Sequence, residues 1–340
     1  MISNSAIDLL TIENLGVNIF VDKGIIHAVN DLSFTLKKGK TLAIVGESGS
    51  GKSILCKSIM GLLPRKAVIS EKASIQFNGY GNLDRLSKNE FRGLRGREIA
   101  MIFQDPVTSL NPVMKIGRQI AEPLIYHKGL KRNKLHKKVI ELMKSVEIPL
   151  PEQRFHQYPH QLSGGMCQRV AIAVALSCNP RLLIADEPTT ALDVTVQSEI
   201  LNLLAHRQSQ KNMAMIIVTH DLAVAVGRAD EIAVMYAGKI VEQAPAKDFV
   251  SHVRMPYTKA LMDAIPHLDD PPHTPLLCID GQPPGLLESG KTGKPIKGCS
   301  FAPRCSRARK KCRKFEPELT SDKSKTHLFA CFYPLGEVCS

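Results

Sequence analysis

Gly46-Glu47-Ser48-Gly49-Ser50-Gly51-Lys52-Ser53 is the stretch that decides the fold. The apolar, β-branched run Thr41–Val45 leads straight into it. Lys52–Leu62 follows with helical spacing, and Pro64 is its stop. Strand, G-x-x-x-x-G-K-S and helix in that order make a phosphate-binding loop. The glycines let the backbone wrap phosphate oxygens so that its N–H groups point inward. The positive end of the following helix adds to the attraction. Lys52 is placed to neutralise β- and γ-phosphate charge, and Ser53 to hold Mg²⁺. The chain therefore binds a nucleoside triphosphate through Gly46, Glu47, Ser48, Gly49, Ser50, Gly51, Lys52 and Ser53.

Four further segments are read against that loop. Leu182–Ala185 is an apolar run ending in Asp186-Glu187. At the C-terminal edge of a parallel sheet, Asp186 can anchor Mg²⁺ through water, and Glu187 can orient or deprotonate the attacking water. Taken alone, two acids at a strand end are commonly just surface. Gln104 and His220 each close another apolar run, Ile102-Phe103 and Val218-Thr219. Polar residues at parallel strand ends face the ligand crevice. Ser163-Gly164-Gly165 precedes the helical run Val170–Leu176. Ser163 is a good N-cap. The turn is a second anion site without a lysine or a metal ligand, and from the residues alone a plain helix cap is the better reading.

The rest of the chain sets the frame. Candidate strands are Ile7–Ile12, Leu32–Leu36, Thr41–Val45, Ser74–Phe77 and Ile99–Phe103, with 182–186 and 214–219 reading as buried parallel strands. Residues 112–178 have few strand signals and read as a mostly helical insert, with Leu130–Val146 its clearest helix. Val194–Ala205 is a helix between the two later strands. From about Pro266 the composition turns to Pro and Gly, which marks a loop-rich appendage. No run of about 18 uncharged apolar residues exists, and the N-terminus has no basic start or long apolar core, so no signal peptide is expected.

The formal charge is +13, and residues 291–340 carry 12 Lys or Arg against 4 acids. A basic tail can meet nucleic acid or anionic lipid, or be an ordinary solvated surface. Without Trp or an aromatic-rich basic stripe, nucleic acid is the weaker reading. Six of the nine cysteines lie after residue 277. Without an export signal such a group favours metal over disulfides. Cys299, Cys305, Cys312 and Cys331 include no C-x-x-C, so spacing alone leaves scattered thiols as the commoner alternative.

Together these motifs resemble the nucleotide-binding subunit of ABC transporters over residues 7–255. In that resemblance 46–53 is the Walker A loop, Gln104 the Q-loop and 162–166 the signature. Residues 182–187 match Walker B, Ala191-Leu192-Asp193 the D-loop, and His220 the switch histidine. The fold implied is α/β: a P-loop NTPase of the ABC ATPase type with an antiparallel β subdomain and a helical insert, plus a small loop-rich C-terminal extension. The implied domains are 1–255, with a helical subdomain about 107–178, and an extension, 256–340. Two such domains dimerise head to tail, so Ser163, Gly164, Gly165 and Asp193 are implied to touch an ATP held by the partner. Glu187 is the implied base, Asp186 and Ser53 support Mg²⁺, Gln104 senses Mg²⁺, and His220 contacts the γ-phosphate. Near the family's adenine contact the nearest aromatic is Phe20.

A finer match is to the oligopeptide/dipeptide importer subfamily, its D-type subunit. It rests on Phe103-Gln104-Asp105-Pro106, Ser109-Leu110-Asn111-Pro112 and Asp186–Thr195, and on Pro256–Leu261 and Gly298–Cys305 in the tail. Cys167 stands where that subfamily commonly has Arg. The resemblance implies ATP-driven uptake of di- or oligopeptides at the cytoplasmic face of the inner membrane, as a peripheral subunit. Implied partners are a second related ATPase, two membrane permease subunits and, indirectly, a peptide-binding protein. Other cargo (nickel, glutathione or murein peptides) fits the same architecture, and a soluble ATPase acting on DNA or ribosomes is the rival from another class. The resemblance also implies a [4Fe-4S] cluster on Cys299, Cys305, Cys312 and Cys331, with zinc as runner-up. Arg304, Arg307, Arg309, Lys310, Lys311 and Arg313 would offset its charge. Cys278 and Cys339 are spare.

Overall fold

The computed structural model describes residues 7–190, 192–265, 271, 278–288, 297–322 and 325–336. Ala191, Pro272, Pro275 and Cys339 lie outside the described residues. The chain opens with two long strands, β1 (Asp8–Val21) and β2 (Gly24–Lys37), then β3 (Thr41–Val45) and helix α1 (Lys52–Ile59). Short strands β4 (Ala67–Ile69), β5 (Ser74–Phe77) and β6 (Gly81–Asn82) precede α2 (Lys88–Leu94) and β7 (Ile99–Ile102). Five helices follow: α3 (Pro106–Ser109), α4 (Ile116–Lys128), α5 (Arg132–Ser145), α6 (Pro151–Arg154) and α7 (Gly164–Leu176). Then come β8 (Leu182–Asp186), α8 (Val194–Lys211), β9 (Ala214–Thr219) and α9 (Leu222–Arg228). The chain continues through β10 (Glu231–Tyr236), β11 (Lys239–Pro245), α10 (Ala246–Phe249) and α11 (Pro256–Asp263). Its last described elements are β12 (Leu287–Glu288), α12 (Lys310–Lys314), β13 (Thr320–Ser321) and β14 (Leu328–Phe329).

These elements form two compact units. One comprises residues 7–10, Leu36–Thr41 and Phe77–Val218. Its strands β7, β8 and β9 are parallel, in registers such as Ile102↔Ala185 and Asp186↔Val218. Every residue of β7, β8 and β9 is buried, as expected of strands covered on both faces. Helices α4, α5 and α7 contribute Ile120, Leu124, Val139, Met143, Val170 and Ile172 to the same core. The helical insert expected over 112–178 is therefore present. Its longest member matches the expected Leu130–Val146 to within two residues at each end. Gly117 on α4 is required by close approach: a Cβ there would lie 2.4 Å from the Phe155 ring.

The other unit comprises Thr11–Thr35, Leu42–Gln76 and the chain from Thr219 onward. Here β3 runs parallel to β10 (Ile44↔Ala233), and β10 forms an antiparallel hairpin with β11. Ala237 and Gly238 close that hairpin with φ of 48° and 79°, the paired positive values of a tight two-residue turn. On the far side of β11 lies β14, then β13. Glu242 on β11 is wholly buried. Its carboxylate accepts hydrogen bonds from the backbone N–H of Arg254 (2.6 Å) and of Met255 (3.2 Å) and from His327 Nε2 (2.8 Å). A second sheet places β1 beside β2, with β12 on β2 and β4 on β1.

Candidate functional site

The loop 46–53, Gln104, Asp186, Glu187 and His220 are placed by strand ends, and Ser163 and Asp193 by helix starts. In the unit that contains residues 42–76, β3 delivers the chain directly into the loop 46–51, and α1 begins at Lys52. Two glycines there are fixed by close approach. A Cβ at Gly46 would sit 2.2 Å from the Met235 carbonyl oxygen, and one at Gly51, where φ is 104°, 2.2 Å from that of Ala28. Lys52 is buried and its ammonium donates to the carbonyl oxygens of Gly46 (2.7 Å) and Glu47 (2.8 Å). The loop thus curls around its own lysine. Ser53 is half-buried on the first turn of α1, and Ser48 and Gly49 are exposed at the tip. The hairpin turn braces the loop, since Gly238 N–H donates to the Ser50 carbonyl at 3.0 Å. His220 follows β9 directly, exposed, ahead of Asp221, which caps α9. Phe20, near the end of β1, is 47% exposed.

In the other unit the parallel register brings two predicted residues together. β7 and β8 end at one edge, so Gln104 and Glu187 meet there: Gln104 Nε2 donates to Glu187 Oε2 at 3.0 Å. Thr190 Oγ1 donates to the same oxygen at 2.9 Å. Glu187 itself has φ of 48°, a strained value for a glutamate. Its N–H donates to the Val218 carbonyl at 3.0 Å, which holds that turn against β9. Asp186, one residue earlier, is buried at the end of β8. Ser163 and Asp193 are both N-caps. Ser163 Oγ accepts from Met166 N–H at 3.4 Å, and Asp193 Oδ1 from Val196 N–H at 2.9 Å. Gly165 leaves room for α8: a Cβ there would lie 3.0 Å from the Val196 side chain. Cys167 is buried, its thiol directed at the Pro159 carbonyl (3.5 Å).

Sequence reasoning missed the contacts that the C-terminal residues make with the phosphate loop. Arg304 donates two hydrogen bonds to the Glu47 carboxylate, at 2.7 and 3.0 Å. The Tyr257 hydroxyl accepts from the Glu47 backbone N–H at 3.1 Å. Those partners are 257 and 210 residues apart, and no local spacing announces such a pair. The Arg304 guanidinium was expected to offset charge at the cysteines and is instead committed to Glu47. Burial pushes the Tyr257 phenol well up, and the Glu47 carboxylate pushes the Arg304 guanidinium up.

Cys299, Cys305, Cys312 and Cys331 line one small cavity together with Phe301, Phe332 and Tyr333. Burial pushes the thiols of Cys299 and Cys305 up, and that of Cys331 up to about 11. Arg309 stacks on the Tyr333 ring and Lys311 on that of Phe332. The donors suit a thiolate-held group in kind. In position they do not: among the described residues no group of three or more His, Cys, Asp or Glu side chains stands where it could hold a metal ion. Cys278 is exposed. Among the described residues no helix is long and apolar enough to cross a membrane.

A phosphate cradle behind β3 and an acidic pair behind β8 are what a phosphate-loop nucleoside triphosphatase requires, and that is the class of this fold. The family described as "ABC transporter" matches residues 29–190, and "Oligopeptide/dipeptide transporter, C-terminal region" matches residues 241–312. The dipeptide transport ATP-binding protein DppD of Bacillus subtilis is 45% identical over 95% of this chain and 94% of its own length. The oligopeptide transport ATP-binding protein OppD of Salmonella typhimurium is 44% identical, covering 97% and 95%. Among solved structures, the dimeric bacterial ABC transporter cassette MJ0796 superposes with a TM-score of 0.63 at 28% identity, covering 70% of this chain and 99% of that one. The chain belongs to the ABC transporter ATPase family, among the dipeptide and oligopeptide transport ATP-binding proteins.

Proposed function

We propose that this chain binds and hydrolyses ATP to drive import of dipeptides or oligopeptides through an ABC transporter. The observation that carries the reading is likeness along the whole chain, tail included, to relatives named for dipeptide and oligopeptide transport. The loop 46–53 takes the triphosphate, with Lys52 and loop N–H groups other than that of Glu47, which the Tyr257 hydroxyl holds, on the phosphate oxygens. Mg²⁺, when bound, neutralises phosphate charge, and Ser53, Asp186 and Gln104 would hold it. Glu187 accepts the proton of the attacking water as its oxygen bonds to the γ-phosphorus and the bond to the β-phosphate oxygen breaks. Gln104 and Thr190 orient that carboxylate. His220 steadies the γ-phosphate.

Ser163, Gly164, Gly165 and Asp193 serve an ATP held by a second, related ATPase subunit, and closure of the pair moves two permease subunits. A peptide-binding protein delivers cargo on the far side, and this chain sits on the cytoplasmic face of the membrane. The ATPase domain is 1–255, with its helical subdomain about 107–178, and the extension is 256–340. Cys299, Cys305, Cys312 and Cys331 would hold a structural [4Fe-4S] cluster only after their side chains move, since where they stand no three of them could hold a metal ion. Their shared cavity supports that reading, and iron and sulfide assays on anaerobically purified protein test it. A zinc-loaded or metal-free protein would reject the cluster.

Replacing Glu187 by Gln tests the ATPase reading. ATP binding should persist while turnover falls at least about 100-fold, the scale of a lost general base. Turnover near wild type would remove Glu187 from the role. Peptide-driven stimulation of the assembled complex tests the cargo, and stimulation by DNA or ribosomes alone would overturn transport.

A further inference from the structure

We propose that Arg304, with Tyr257, is a positioning residue for ATP: from the C-terminal part of the chain it fixes the phosphate loop through Glu47. The inference rests on the ATPase reading above and adds a determinant of nucleotide affinity outside the nucleotide motifs.

Glu47 is the second residue of the loop, and both its ends are held from outside it. Its carboxylate receives Arg304 Nη1 and Nη2. Its N–H is taken by the Tyr257 hydroxyl. The remaining Arg304 donors are also used: Nε on the Asp280 carbonyl (2.9 Å), Nη2 on the Ile279 carbonyl (3.2 Å) and Nη1 on the Tyr236 hydroxyl (3.4 Å). Only 5% of the Arg304 side chain is exposed, against 23% of Glu47. A planar fork with every donor engaged fixes direction as well as distance, which a lysine ammonium cannot do. The rings of Tyr236, Tyr257 and Phe301 pack on one another with centroids 4.5 to 5.4 Å apart. Arg304 and Tyr257 therefore act from a rigid support.

The hold reaches the chemistry in one further step. The Glu47 carbonyl is one of the two that seat the Lys52 ammonium. Moving residue 47 moves the seat of the lysine that meets the phosphates. Arg304 also cancels a carboxylate that would otherwise repel a triphosphate in the same loop. The residue acts through Glu47 and touches no reacting atom, so it tunes ATP binding while the proton transfer at Glu187 is untouched.

The test is carried out on the full-length chain, by equilibrium binding of Mg-ATP, and on the assembled transporter, by steady-state ATPase kinetics. Arg304→Met and Arg304→Lys should each raise Kd and KM for ATP about tenfold while kcat at saturating ATP stays within about twofold, the signature of lost uniform binding. Tyr257→Phe keeps the ring cluster and removes only the acceptor, and should raise KM about threefold. If Arg304→Met does not fold, Tyr257→Phe decides. Overturning results are a wild-type Kd in Arg304→Met, full rescue by Arg304→Lys, or a loss of kcat with KM unchanged. A wild-type chain that binds no ATP would sink the ATPase reading itself. A wild-type chain that binds ATP beside unaffected variants would sink only the positioning role.

Discussion

Replacing Glu242 by Ala removes an acceptor from the inside of the molecule. Three donors lose their partner together: the N–H groups of Arg254 and Met255, and Nε2 of His327, itself only 4% exposed. Each orphaned buried donor costs about 1–3 kcal/mol. Removing the carboxylate also relieves the cost of having buried it. The two combine to the range seen when one partner of a buried ionic network is deleted, about 3–5 kcal/mol. Glu242→Gln keeps one oxygen as acceptor and presents an amide where the other stood, so it should cost about half as much. The assay is urea unfolding followed by tryptic accessibility of the Arg254 bond, which reports this unit rather than the whole chain. Ala and Gln variants of equal stability, or an Ala variant within about 1 kcal/mol of wild type, would refute the argument that the donors depend on this one side chain.

Gly117→Ala places a methyl against the Phe155 ring and should destabilise the helical insert by about 1–3 kcal/mol. Unchanged thermal unfolding would show that the ring has room to move. Burial pushes the Cys167 thiol up. Its stabilising share is then whole below the ordinary thiol value and is lost as pH rises through that value towards the folded one. Cys167→Ala should flatten the alkaline limb of the stability curve above the ordinary thiol value of about 8.5. Parallel curves for variant and wild type would reject this.

What the sequence disclosed depended on the physics of each segment. β3, β8 and β9 were bounded to the residue, because short apolar runs between turn signals have only one way to sit in a covered sheet, and β5 was bounded by the alternation of Ile75 and Phe77 with half-exposed Ser74 and exposed Gln76. β1 and β2 were foreshortened to Ile7–Ile12 and Leu32–Leu36. Asn14 and Asp31 look like turn residues there, and both have positive φ, yet the strands continue through them. Gly61, at φ 58°, ends α1 short of the expected Leu62. The β10–β11 hairpin went unforeseen because Ala237-Gly238 is a weak turn signal. The pairing of Gln104 with Glu187 was implicit once both were placed at parallel strand ends. The grip of Arg304 on Glu47 was not, since nothing in a linear pattern joins two residues 257 apart.

β14 is only two residues long, yet it lies along β11 at Glu242↔Phe329 and Gln243↔Leu328. It thereby covers amide and carbonyl groups that would otherwise be a bare margin. A fragment ending soon after residue 255, whether from a premature stop or a protease cut, would carry β11 uncapped. Unsheathed margins recruit one another. Such a fragment should self-associate more readily than the full chain, at a margin that β14 sheathes over two residues.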